Sequence, residues 1–223
     1  MLKGDIVFTD LGSKNTTEHT QKGWRPAVVV DVLINSQACT IIPFTIRVKK
    51  VLPTHIPINK RDVPVLKEDS VLLCENCTIV RAAKMAPINE SYNVCANNNE
   101  LWRKIIAGLS IQLSSKYDYC TKYVEKQYRR GAIVYVKDLS YPAIILSNER
   151  NNEYSDNVTV APLKNGALTS EKFYDIADDC FAMKNVAILN VSKKNICGYI
   201  GYAGKKIANH VSKQYIERLN EPV

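Results

Sequence analysis

The chain has 223 residues, 46% of them hydrophobic and 23% charged, with a formal net charge of +8. That is the composition of one large or two small globular domains, and it excludes a largely disordered chain. No apolar run approaches the roughly 18 residues of a membrane span, so no membrane partner is expected. The start, MLKGDIVFTD, reads as a strand rather than a secretion signal. The seven cysteines are an odd set and are expected as reduced thiols of a cytoplasmic protein. The positive charge favours an anionic partner, with a merely solubilising surface as the plain alternative.

In chain order, KGDIVFTDL (3–11) is a strand, followed by a long polar loop, GSKNTTEHTQKGW (12–24). The loop carries Glu18, His19, Gln21, Lys22 and Trp24. RPAVVVDV (25–32) and CTIIPFT (39–45) are apolar, β-branched strands. Then come the basic run Arg47, Lys49 and Lys50, and LPTHIPI, whose His55 between prolines is expected to be structural. VLLCENCTIV alternates like one strand, which throws Cys74 and Cys77 to opposite faces or across a bend. Their C-x-x-C spacing lacks the second cysteine or histidine pair that a zinc site needs, so no metal is expected. NELWRKIIAGLSIQLSS (99–115) places Leu101, Ile105, Leu109 and Leu113 on one helical face.

The pattern then repeats. RGAIVYVKDL (130–139) matches the first strand, YPAIILSN (141–148) the second and VTVAPLK (158–164) the third. NVAILNV (185–191) loosely echoes SVLLCEN (70–76). GKKIANHVSKQYIERL (204–219) supplies a second helix, with Ile207, Val211, Tyr215 and Leu219 in register. Short strands without alternating helices predict a mainly β, α+β chain made of two tandem small antiparallel barrels with appended helices. The domains are expected at 1–116 and 129–223, with a polar, tyrosine-rich linker over 117–128. Those tyrosines suit packing or base stacking.

The copies differ at one place. Twenty-two positions separate Gly4 from Pro26, but eleven separate Gly131 from Pro142. The second copy lacks the polar loop, has Tyr141 where Arg25 stands, and has Lys164 where Thr45 stands. Loops carry function on a scaffold that strands hold rigid, so the first copy is the one expected to act.

The Gly-Asp after the start, the G-x-R-P entry to the second strand and the run from Thr45 through Lys49-Lys50 to LPTH resemble the MazF/PemK toxins of bacterial toxin–antitoxin systems. The likeness covers residues 3–115, and 129–220 resemble a degenerate member. It implies an SH3-like barrel of the MazF/PemK/CcdB type and a metal-independent, sequence-specific endoribonuclease without cofactor, acting on single-stranded RNA and inhibited by an antitoxin protein. It also implies Arg25 and Thr45 as catalytic residues in one active site. The second copy would serve as an intramolecular pseudo-dimer partner, and a homodimer of whole chains stays open. His19 and Glu18 are the candidates for proton transfer. Gln21, Lys22, Trp24, Arg47, Lys49 and Lys50 are candidate RNA contacts. Where the family carries Gln-x-Arg-Thr, this chain has Asn76, Thr78 and Ile79, with Arg81 nearby, and Asn76, Thr78 and Arg81 join the candidate RNA contacts. A gyrase-binding, CcdB-like toxin and a nucleic-acid-binding protein without activity are the competing readings. Arg25 as a surface arginine paired with Asp31 or Glu75 is the plain reading of that residue.

Overall fold

The computed structural model describes residues 1–12, 23–33, 37–46, 51–88, 92–114, 124–137, 139, 142–165, 173–176, 179–182 and 187–221. The chain divides into two units, Met1–Leu109 with Leu219–Val223, and Ser110–Arg218. It is mainly antiparallel sheet with a few helices. Among the described residues no helix is long and apolar enough to cross a membrane.

In the first unit the strands are β1 (Ile6–Asp10), β2 (Trp24–Leu33), β3 (Ala38–Thr45), β4 (His55–Ile58), β5 (Ser70–Leu73), β6 (Thr78–Arg81) and β7 (Met85–Pro87). They pair in the order β4-β5-β3-β2-β1-β7, with β6 on β3 beside β5. The β-branched runs of β2 and β3 form the middle, where side chains that fit a pleated surface gain most from burial on both faces. Val7, Ala27, Val29, Cys39, Ile41 and Val80 make one core cluster. On these central strands the alternate residues Val28, Ile42 and Phe44 are buried as well.

After the short helix α1 (Val94–Asn97), helix α2 (Asn99–Gln112) buries Leu101, Ile105 and Leu109. Each contributes roughly 1.5–3 kcal/mol of apolar burial. Gly108 lets the helix approach closely, since a Cβ there would stand 2.6 Å from Cys74 Sγ and 3.2 Å from Ile56 Cδ1.

The segment expected as one strand over VLLCENCTIV is two. β5 pairs with the end of β3, Thr45 opposite Val71, and β6 with its start, Ile41 opposite Thr78. Between them Cys74–Asn76 form a 3-10 turn. The register moves by three residues across the break, which is the length of that turn. Cys74 opens the turn and Cys77 follows it, both fully buried, with the Cys77 N–H donating to the Cys74 carbonyl. Burial pushes both thiols up, Cys74 with a further push from the neighbouring Glu75 charge, so they stay protonated and pack as small apolar groups.

Glu75 in that turn holds the entry to β4. Thr54 donates its hydroxyl to Oε2 at 2.8 Å, and His55 Nε2 donates to Oε1 at 2.6 Å. His55 Nδ1 faces the Leu52 N–H at 3.3 Å and must accept there, which places the ring proton on Nε2. The expectation that His55 is structural agrees with this clasp.

The second unit holds β8 (Ala132–Val136), β9 (Ala143–Ile145), α3 (Glu149–Tyr154), β10 (Asn157–Pro162), β11 (Lys164–Asn165), β12 (Phe173–Ile176), β13 (Asp179–Ala182), β14 (Leu189–Ser192), β15 (Ile196–Tyr202) and α4 (Lys205–Asn220). Its main sheet runs β14-β10-β9-β8-β15, and a three-stranded sheet runs β11-β13-β12. Ala132, Val134, Val136, Ala143, Ile145, Val158, Val160 and Val191 form its core. In α4, Ala208, Val211 and Tyr215 are buried while Ile207 is only half-buried, so the small Ala208 takes the place the spacing gave to Ile207. Residues 115–123, most of the expected linker, lie outside the described residues.

Gly4 and Gly131 occupy matching places. Each precedes its first strand with φ near +90°, and each N–H donates to a carbonyl of the neighbouring strand, Val29 and Ile145 respectively, both at 2.8 Å. A Cβ at Gly4 would meet Asn93 Oδ1 at 2.6 Å and Cys95 N at 2.9 Å, and one at Gly131 would meet the Gly204 carbonyl at 2.7 Å. Gly4→Ala and Gly131→Ala are therefore each expected to cost at least about 1–3 kcal/mol. The loss would be read as a lower urea midpoint for the unit that carries the change. Glu75→Ala removes the acceptor of two hydrogen bonds and should cost roughly 1.5–3 kcal/mol in the same measurement.

Candidate functional site

The β2–β3 ladder sets the site. It runs from Leu33 opposite Ala38, through a register shift between Asp31 and Val29, to Ala27 opposite Pro43 and stops there. Two residues beyond the last pair stand Arg25 on β2 and Thr45 on β3. In a pleated strand residues two apart share a face. Arg25 and Thr45 thus continue the face of Ala27, Val29 and Ile41, at the sheet's end where the core gives way to solvent. Both are half-buried. On the other side Arg25 pairs with Thr9 of β1. Thr9 is fully buried and donates its hydroxyl to the Lys84 carbonyl at 3.3 Å.

Burial pulls the Arg25 guanidinium below its usual pKa. It stays a cation at neutral pH, and its partial desolvation strengthens its field on any anion brought to it. Glu75, one of the acids considered as its partner, is bound to Thr54 and His55. A half-buried guanidinium and a strand-end hydroxyl on one face suit a phosphoryl group, whose oxygens can take the planar fork and an O–H together.

The long loop starts from a closed base. Leu11 N–H donates to the Gly23 carbonyl at 3.2 Å, and Gly23 N–H to the Gly12 carbonyl at 3.1 Å, one and two residues from Trp24 and Arg25. Glu18, His19, Gln21 and Lys22, and likewise Arg47, Lys49 and Lys50, lie outside the described residues. Their chain neighbours are fixed, since the loop returns at Gly23 and the basic run leaves from Ile46.

The other candidates are dispersed. Asn76 sits in the 3-10 turn and Thr78 opposite Ile41, four residues short of Thr45. Arg81 pairs with Ala38 at the opposite end of β3, seven residues from Thr45 and so roughly 23 Å along the strand. The structure does not bring Arg81 to the Arg25–Thr45 end, because the turn moves β6 toward the start of β3. Sequence reasoning missed Phe8 and Ile46. Phe8 is 39% exposed, Trp24 58% and Ile46 61%. The signal was a large apolar residue at a position of the alternating pattern where a solvent-facing residue was due.

Among the described residues no group of three or more His, Cys, Asp or Glu is placed to hold a metal. No curated protein matches the chain. Among solved structures, an endoribonuclease from Mycobacterial species is 17% identical over 45% of this chain and 100% of its own, with a TM-score of 0.34. An endoribonuclease in complex with its cognate antitoxin, also from Mycobacterial species, is 20% identical over 42% of this chain and 98% of its own, with a TM-score of 0.33. Residues 2–112 match the model of the PemK-like, MazF-like toxin of type II toxin-antitoxin system. The match spans the sheet that carries Arg25 and Thr45, and through residues 2–112 this chain belongs to the PemK-like, MazF-like toxin family.

Proposed function

We propose that the protein is a cytoplasmic toxin that cuts single-stranded RNA at particular sequences without a metal, using one active site in residues 1–116. The observation that carries this reading is the placement of Arg25 and Thr45 on one face, each two residues beyond the Ala27–Pro43 pair, inside the segment that matches the toxin family. In the proposed reaction a ribose 2′-OH attacks the adjacent phosphorus and its proton passes to a base. The 5′-oxygen then leaves with a proton from the conjugate acid, giving a 2′,3′-cyclic phosphate and a 5′-hydroxyl. Arg25 and Thr45 stabilise the charge gathering on the equatorial oxygens and hold the in-line geometry. Arginine does not readily give up its proton, so His19 or Glu18, in the loop that returns beside Arg25, is the proposed acid–base group. Gln21, Lys22, Trp24, Arg47, Lys49 and Lys50 are the proposed RNA contacts near the site, and Asn76, Thr78 and Arg81 are proposed to touch more distant nucleotides. The inhibitor is proposed to be an antitoxin with an acidic, foldable segment, suited to a chain of charge +8.

Residues 129–223 are proposed to be a degenerate second copy, joined to the first through 117–128. Four observations support this. The order β14-β10-β9-β8-β15 repeats the pairing β6-β3-β2-β1-β7. The pair Ala143–Pro162 repeats Ala27–Pro43. Gly131 repeats Gly4. In both units a 3-10 turn, Lys193–Asn195 or Ala82–Lys84, precedes the last strand. On this reading β14 corresponds to β6, each pairing with the third strand of its unit, where the loose alignment of NVAILNV with SVLLCEN set it against β5. Two residues beyond Ala143–Pro162 the chain has Tyr141, outside the described residues, and Lys164. A fused copy supplies an internal pseudo-dimer partner at an effective concentration of order millimolar, so it need not keep a site of its own.

Purified protein incubated with a long labelled RNA in EDTA should give discrete cuts ending in 2′,3′-cyclic phosphate. Arg25→Ala should lower the rate by about a hundred- to a thousandfold, or ~3–4 kcal/mol, whereas Tyr141→Ala should stay within a few-fold of the parent. Intact RNA from folded protein would sink the proposal and turn attention to a gyrase pull-down.

A further inference from the structure

We infer that the apolar groove on the reverse side of the Arg25–Thr45 strand ends is a subsite for an unpaired nucleobase adjoining the phosphate held by those residues. The inference rests on the proposed RNA cleavage. Trp24 and Arg25 are successive on β2, and Thr45 and Ile46 are successive in the chain, so each polar residue that faces the phosphate has an apolar neighbour on the opposite face. Across that face Pro26, Phe8 and Ala86 are lateral neighbours, through the pairs Phe8–Pro26 and Phe8–Ala86. Together with Trp24, Ile46 and Leu66 they line one open groove of about 740 Å³, a size common for small-ligand sites, which run roughly 300–1,000 Å³.

Charge decides the occupant. Lys22 and Arg25 bracket Trp24 in the sequence, and Arg47, Lys49 and Lys50 follow Ile46, with no acidic residue from 20 to 30 or from 43 to 55. Among the described residues, the acids near the groove are Glu68 on its wall, next to Lys67, its neighbour Asp69, whose Oδ1 accepts the Lys60 N–H at 2.9 Å, and Asp10 opposite Trp24, whose Oδ1 accepts the Gly12 N–H at 2.9 Å. A ligand that is anionic along one edge and flat and apolar on its faces fits both features. A single-stranded nucleotide has that form, and base–aromatic stacking tolerates any base. Ser70 and Lys67 on the same wall can read base edges. The groove therefore holds the base next to the cut.

The test uses a short fluorescent single-stranded RNA pool with 2′-O-methyl riboses, which lack the attacking hydroxyl, and an abasic strand of the same length. Anisotropy reports binding. Emission from Trp24, 58% exposed against 9% for Trp102, reports the groove. RNA is expected to quench the emission of the parent while the abasic strand does not. Trp24→Phe should lose the quenching but keep the binding, and Trp24→Ala should bind roughly five- to 150-fold more weakly. Binding without quenching, or equal binding of the abasic strand, overturns the base subsite and leaves the RNA reading standing. No binding of any RNA overturns both. Quenching by an acidic, apolar peptide but not by RNA assigns the groove to a protein partner instead.

Discussion

The registration of β2 against β3 is the constraint on which the rest depends. Once Ala27 faces Pro43, the pleat dictates where the neighbouring side chains point. Arg25 and Thr45 come to one face, and Trp24 and Ile46 go to the other. A slip of one residue would exchange the two packed faces of β2 and carry Arg25 to the wrong side. The burial of Ala27, Val29, Ile41 and their alternates on both faces holds that register. Core packing and site geometry are therefore one requirement.

Where the strands fix direction, short insertions place the chemistry. The loop after β1 is long, yet its base is closed by hydrogen bonds between Gly12 and Gly23, so it returns at the residue before Trp24. The three-residue turn within the β5–β6 segment sets Glu75 against Thr54 and His55 and steers β6 to the far end of β3. Both devices leave the sheet intact and alter only what stands at its margins, the economical place to change function on a packed scaffold.

The second unit parallels the first in several features. Its main sheet follows the same pairing order around an equally apolar core. It also has a glycine with positive φ ahead of its first strand, with a fully buried cation before it. Arg130 donates to Asn209 Oδ1 at 3.2 and 2.9 Å and to Ser212 Oγ at 2.9 Å, both on α4. In each unit the glycine geometry, the strand register and the long helix are tied to the core, while loop length is not.

The strands β1 to β3, β8 to β10, the two long helices and the pairing of Arg25 with Thr45 as a hypothesis were legible in the sequence. Each rests on local periodicity, on a repeated motif or on a family resemblance carried by consecutive residues. The break within VLLCENCTIV was not legible, because alternation looks the same on both sides of a 3-10 turn. Nor was the dispersal of Arg81, since distance along the chain says nothing of which half of β3 a later strand meets. The outward groove of Phe8, Trp24 and Ile46 also needed the fold, for three residues far apart in sequence become one surface only when antiparallel pairing lines up their strand ends. Sequence by itself determined the main apolar strands, β1 to β3 and β8 to β10, and the place of Arg25 at the entry of β2 beside the long loop. Tertiary structure decided which side chains share a face, because register and turns, unlike composition, are settled by long-range packing.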